Sequence, residues 1–168
     1  QVNIIAEKIQ IPLFEEDSKI PSIIDQECKK LLKSKLKNWQ EYTNLPEYST
    51  LIKLLEKGVA IHHAGILKEF REMIELLFDK KYIKLLLATE TFAVGINMPT
   101  KTTIFTSLEK FDGSKFRYLE PSEYTQMAGR AGRRGIDTKG VVIHANNLFN
   151  KSDIATKDYR HILTGPPK

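Results

Sequence analysis

An α/β fold, with a parallel sheet and helices on both of its faces, is what this sequence predicts. Three observations carry that reading. Apolar runs of strand length stand at residues 59–63, 83–89 and 141–145. Around them lie longer stretches that repeat apolar residues every three or four positions, the helical period. Strands that alternate with helices join through right-handed crossovers, which makes the sheet parallel.

Each element follows in order. Val2, Ile5, Ala6 and Ile9 have helical spacing, and residues 10–20, around Pro12 and Glu15-Glu16-Asp17, read as a loop. Residues 22–41 predict one long helix, with Ile24, Cys28 and Leu31 in one row and Leu32, Leu36 and Trp39 in a second. Ser22 and Asp25 have the spacing of a helix start. Residues 46–57 predict a helix with Tyr48, Leu51, Ile52 and Leu55 inward, stopped by Gly58. A strand at 59–63 follows, then a helix at 67–78 with Phe70, Met73, Ile74 and Leu77 inward. Residues 82–89 are apolar with little alternation, which suggests a strand buried on both faces. Residues 102–107 are a β-branched strand, and 109–117 suggest a hairpin around Asp112-Gly113. Pro121 and Ser122 open another helix. A strand at 141–145 and a short helix from Ser152 or Asp153 to Leu163 complete the chain before Gly165-Pro-Pro.

Composition sets bounds. A chain of 168 residues, 41% hydrophobic, is one globular domain with a core of useful size. Cys28 is the single cysteine, so no intrachain disulfide forms, and its neighbours place it in a helix core. No apolar run reaches membrane length and no signal peptide is visible, so an intracellular, reducing compartment, cytoplasmic or nuclear, is expected. A net charge of +5 permits a polyanionic partner without demanding one.

The stretch Tyr124-Thr-Gln-Met-Ala-Gly-Arg-Ala-Gly-Arg-Arg-Gly135 carries the most chemistry. Gln126, Arg130 and Arg133 are spaced by four and three, which stacks them on one face of a helix. A guanidinium is a planar fork of donors suited to phosphate oxygens. Gly129 and Gly132 each cost a helix about 1 kcal/mol relative to alanine and are tolerable where something approaches the backbone closely. The plainer alternative is a solvated basic helix end, with Arg133 and Arg134 facing the dipole. A second constellation follows the strand at 82–89. Thr89, Glu90, Thr91, Gly95 and Asn97 succeed one another up to Pro99, at the carboxyl end where ligands collect in open α/β sheets. A third is His62-His63-Ala64-Gly65, at the end of the strand that begins at Val59. No cysteine or carboxylate stands at zinc spacing from those histidines, so no metal site is expected.

These segments resemble motifs of superfamily two helicases. Gln126-x-x-Gly129-Arg130-x-Gly132-Arg133 is similar to the sixth helicase motif, and Thr89 to Asn97 to the fifth. The family's commonest residue at the last of those positions is aspartate, and Asn97 keeps an acceptor without the charge. Ala88-Thr-Glu-Thr-Phe-Ala-x-Gly-x-Asn-Met-Pro99 and His62-His63-Ala64-Gly65 resemble the Ski-type branch. Residues 109–113 are more similar to its exosome-assisting RNA members than to its DNA-repair members.

The resemblance implies a RecA-like lobe, the second of a DExH RNA helicase, over residues 1–165, with 166–168 opening a linker. It implies that Gln126, Arg130 and Arg133 face the triphosphate of ATP, with Arg133 as arginine finger, and that Gly95 and Asn97 couple to the nucleotide. It implies that His62, His63, Thr89, Glu90 and Thr91 meet RNA phosphates. The chain has no G-x-x-x-x-G-K-[ST] and no Asp-Glu-x-His. Binding of ATP with Mg2+ is therefore expected mainly from a first lobe outside this chain, and the fragment alone is expected to be inactive. A strand preceding residue 1 is expected from the family, so the sheet is expected to lack its first strand. The implied partners are single-stranded RNA, a first RecA-like lobe, a winged-helix domain and an exosome-type RNA decay complex, with no membrane. A lobe of a related DNA helicase and a non-catalytic scaffold lobe remain alternatives, since a grip on phosphates does not distinguish sugars.

Overall fold

The computed structural model describes residues 2–90, 99–146, 148 and 153–166. The chain divides into two compact units, residues 1–92 and 93–168.

The first unit holds α1 (Val2–Lys8), α2 (Ile20–Lys35), α3 (Trp39–Thr43), α4 (Pro46–Glu56), β1 (Val59–His62), α5 (Lys68–Asp79) and β2 (Leu85–Ala88). Strands β1 and β2 pair in parallel, Val59 opposite Leu85 and His62 opposite Ala88, with α5 as the crossover. The core gathers Leu51 and Leu55 from α4 and Phe70, Met73, Ile74 and Leu77 from α5 as expected, but from α2 it buries Ile24, Cys28 and Leu32, with Leu31 only partly buried against it. Each large apolar side chain buried there contributes about 1.5–3 kcal/mol. Gly58 ends α4 at φ 84°, and a side chain at that position would press on the Phe14 ring. The Gly58 carbonyl then accepts from the N–H groups of Lys84 and Leu85, which sets the height at which β2 enters.

Three expectations need correction here. The single helix expected at 22–41 is two. Leu36 turns extended (φ −130°, ψ 129°) after donating its N–H to the Leu32 carbonyl, and α3 restarts at Trp39. Both Leu36 and Trp39 still pack on the core, so the break keeps their burial while redirecting the chain. The helix starts at Ile20, and Ser22 and Asp25 do not cap it. The Ser22 hydroxyl donates to the Lys19 carbonyl, and Asp25 binds the Tyr48 hydroxyl at 2.8 Å and Lys29 at 2.9 Å. Finally, β1 is the strand buried throughout, whereas β2 is half-buried and its last residue, Ala88, is exposed.

The second unit holds β3 (Thr102–Phe105), β4 (Glu109–Phe111), β5 (Phe116–Tyr118), α6 (Pro121–Ala128), β6 (Val141–His144) and α7 (Thr156–Thr164). Strands β3 and β6 pair in parallel, Thr102 opposite Val141, so the α/β reading holds in this unit too. The hairpin β4–β5 is antiparallel and turns at Asp112-Gly113, where Gly113 has φ 104° and Asp112 Oδ1 accepts from the N–H groups of Ser114 and Lys115. Phe105, Leu108, Leu119 and Ile162 form the core. The last helix begins at Thr156, later than the Ser152 or Asp153 expected.

Candidate functional site

In the first unit the candidate residues sit at the carboxyl ends of β1 and β2. His62 is the last residue of β1 and is buried, 6% exposed. Its Nε2 lies 2.9 Å from Glu75 Oε1 on α5, so the ring ties strand to helix and is turned away from solvent. His63 is half-buried. The Gly65 N–H donates to its Nδ1 at 3.0 Å, which leaves Nε2 to carry the proton toward Asn3 Oδ1, 2.9 Å away. Thr89 is exposed directly after β2, and its N–H donates to the His62 carbonyl at 3.2 Å. That bond brings the two expected groups, the histidines and the threonine, to one strand edge. Glu90 follows, half-buried. Thr91, Gly95 and Asn97 lie outside the described residues.

In the second unit the arginine segment departs from expectation in an informative way. The spacing predicts a helix with Gln126, Arg130 and Arg133 on one face, but α6 ends at Ala128. Gln126 is exposed on its last turn; Arg130 and Arg133 belong to the loop that follows. Gly132 at φ 93° and Gly135 at φ 77° take left-handed values that a right-handed helix cannot contain. The loop is instead bound to the start of β3. The Thr100 N–H donates to the Arg130 carbonyl at 2.9 Å, and the Gly132 N–H to the Thr100 carbonyl at 2.6 Å. Thr100 and Ala131 thus form a parallel bridge. A Cβ on Gly140, the residue before β6, would stand 2.3 Å from the Ala131 carbonyl oxygen. The close approach that the glycines permit is therefore made by the chain's own backbone.

Arg133 is held by Asp137, a residue the sequence reading passed over. The Arg133 Nε donates to Asp137 Oδ2 at 2.8 Å and its Nη2 to Oδ1 at 2.9 Å, a two-pronged pair. The backbone closes around them: the Arg133 N–H also donates to Asp137 Oδ2 at 2.9 Å, and the Asp137 N–H to the Arg133 carbonyl at 2.9 Å. The guanidinium and the Arg133 N–H hold the Asp137 carboxyl well below the usual carboxylate range, and the same pair raises the Arg133 pKa. The spacing of four between Arg133 and Asp137 was a visible signal for the pair.

The helix before the loop is anchored as firmly. Glu123 closes a capping box by accepting the Glu120 N–H at 2.8 Å on Oε2. The same carboxylate takes both prongs of Arg117, at 2.8 and 2.9 Å, and Lys110 Nζ at 2.9 Å. Arg117, then the cap and Lys110, push its pKa from 4.5 down to about 2. Tyr124, on the same helix, stacks on Phe105 and meets His144 Nε2 through its hydroxyl at 3.0 Å, while His144 Nδ1 binds the Tyr159 hydroxyl. Burial lowers the His144 pKa. Among the described residues no three His, Cys, Asp or Glu side chains are grouped to hold a metal. No described helix is long and apolar enough to cross a membrane.

Comparison with known proteins returns the family described as helicase conserved C-terminal domain, matched by residues 23–135. The antiviral helicase SKI2 of Saccharomyces cerevisiae is 44% identical over 152 residues, 90% of this chain and 11% of that protein. The DExH-box ATP-dependent RNA helicase DExH11 of Arabidopsis thaliana is 54% identical over 123 residues, 73% of this chain and 9% of that protein. The exosome RNA helicase MTR4 of Homo sapiens is 52% identical over 103 residues, 61% of this chain and 10% of that protein. The chain thus spans about a tenth of the length of the relatives it matches.

Proposed function

Because the chain belongs to the helicase conserved C-terminal domain family, we propose that it is the second motor lobe of an ATP-dependent RNA helicase that works 3′ to 5′ in RNA processing or decay. In this reading residues 1–165 form the lobe and 166–168 open a linker. The observation that carries it is the arginine loop, whose main chain is bound to Thr100 while its guanidiniums supply donors alone. Donor-only groups fit the oxygens of a triphosphate and have nothing to offer a cation. ATP with Mg2+ would accordingly be held mainly by a first RecA-like lobe, which supplies the phosphate cradle and the metal carboxylate.

Gln126, Arg130 and Arg133 then face the nucleotide, and Arg133 supplies the charge that stabilises the transferring phosphoryl group. Such an arginine is worth about a thousandfold to a hundred-thousandfold in other NTPases. Gly95 and Asn97 would couple to the nucleotide. Thr89, Glu90, Thr91 and His63 are assigned to RNA phosphates. His62 is assigned a supporting place, since its ring is committed to Glu75. Phosphate contacts of this kind hold a strand without reading its sequence. The partners proposed are single-stranded RNA, a first lobe, a winged-helix domain and an exosome-type decay complex, in the cytoplasm or nucleus.

The test is Arg133→Ala in a protein carrying both lobes. RNA-stimulated ATP turnover is expected to fall by about a thousandfold or more, with RNA affinity retained. Loss of RNA binding with ATP turnover intact would show that the loop faces the other ligand. Strand separation on matched RNA and DNA duplexes reports which polymer the lobe serves.

A further inference from the structure

The two-pronged pair between Arg133 and Asp137 uses one edge of the guanidinium and leaves another. Nε and Nη2 are spent on the carboxylate, while Nη1 makes no hydrogen bond among the described residues. An arginine side chain free to rotate loses rotamer entropy on being fixed for catalysis. Here the fixing is done in advance, and by a group that is itself largely buried. Asp137 is only 10% exposed against 31% for Arg133, and each residue also binds the other's backbone. The turn that joins them depends on Gly135 at φ 77°. Its amino end is fixed by the bridge between Thr100 and Ala131.

We propose that Asp137 is a positioning residue for the arginine finger. It clamps Arg133 by the Nε edge so that the Nη1 edge is the one presented to the phosphoryl group. The proposal rests on the reading that Arg133 faces the triphosphate. Asp137 touches neither substrate nor metal in this scheme and acts through Arg133 alone. A carboxylate in this place also keeps the guanidinium from pairing with a competing acid, and its two oxygens match the fork's spacing. Misplacement of a catalytic group by about 1 Å costs about a hundredfold in rate. That sets the size of the effect to expect.

The experiment is a double-mutant cycle in a protein carrying both lobes, with ATP turnover at saturating RNA as readout and circular dichroism melting and RNA affinity alongside. Asp137→Ala is expected to lower kcat by about a hundredfold while KM for ATP and RNA affinity hold. Asp137→Asn, which keeps one acceptor oxygen and the same shape, should fall between that variant and wild type, and it carries the test if Asp137→Ala fails to melt cooperatively. Added to Arg133→Ala, either Asp137 change should cost nothing further, because the residue it positions is gone. A wild-type or raised kcat for Asp137→Ala beside an inactive Arg133→Ala would overturn the proposal and leave the finger intact. A full additional loss in the Arg133→Ala background would also overturn it, by showing that Asp137 serves the fold. Wild-type turnover in Arg133→Ala alone would remove the finger itself, and this proposal with it.

Discussion

Replacing Glu123 with glutamine would remove one negative charge and almost no volume. The glutamine keeps an oxygen for the Glu120 N–H, so the capping box survives. What disappears is the attraction of one carboxylate for Arg117 and Lys110, which fastens the β4–β5 hairpin to the start of α6. The pKa of Glu123 falls from 4.5 to about 2, a gap of about two and a half units, or about 3 kcal/mol at full value. The side chain is 25% exposed, and water at that rim screens the charges, which brings the expected cost to about 1–2 kcal/mol. The sign follows from the direction of the shift. A carboxyl whose folded pKa is depressed stabilises the fold fully above its unfolded value and loses that contribution as pH falls through the folded one. The stability gap between Glu123→Gln and the parent chain should therefore be full at pH 7 and begin to close below about pH 4.5. By pH 2.5 to 3 most of the closure should be visible. Urea titrations at pH 7, 5, 4 and 3, followed by circular dichroism, measure it. A gap that stays constant across that range would mean that the glutamine disturbs packing and that the ion network contributes nothing.

Two further outcomes follow from the geometry. Gly132→Ala should cost about 1–2 kcal/mol from the left-handed backbone alone, with more from the 3.1 Å approach to Gly140, read as a lower urea midpoint. Cys28 is fully buried and its thiol pKa is pushed up to about 12, so it should resist alkylation in the folded chain at pH 8 and react at the rate of a free thiol in urea.

Most of the helices and strands were legible because local periodicity reports burial directly. Phe70, Met73, Ile74 and Leu77 could face a core only as a helix, and they do. The hairpin was legible from Asp112-Gly113 for the same reason: a turn's chemistry is local. The helix break at Leu36 was hidden, because Leu36 and Trp39 fit the apolar rows whether or not the chain bends between them. The arginine segment misled for a related reason. A spacing of four and three marks one helical face, but it is also what a helix end and a glycine loop can produce. Gly129, Gly132 and Gly135 held the decisive information about where α6 stops. Asp137 stands at a spacing that permits pairing with Arg133, yet a spacing of four does not by itself specify a two-pronged contact. Glu123 gathers partners six and thirteen residues away, and that convergence exists only once the hairpin and helix have docked.

The contact between Ala131, Gly132 and Gly140 bears on how this chain could be rebuilt. Main chain rests on main chain there, so the two ends of the arginine loop are set beside the starts of β3 and β6 by peptide units, while Asp137 braces the turn between them. The loop is in that sense a cassette with fixed mounting points. Its length, its glycines, the Arg133–Asp137 pair and the Thr100 register must travel together. Transplanting residues 129–140 into a related lobe would succeed as a unit. Inserting one residue between Gly132 and Gly140 would shift Arg133 while Arg130 stays bound to Thr100, with every side chain unchanged.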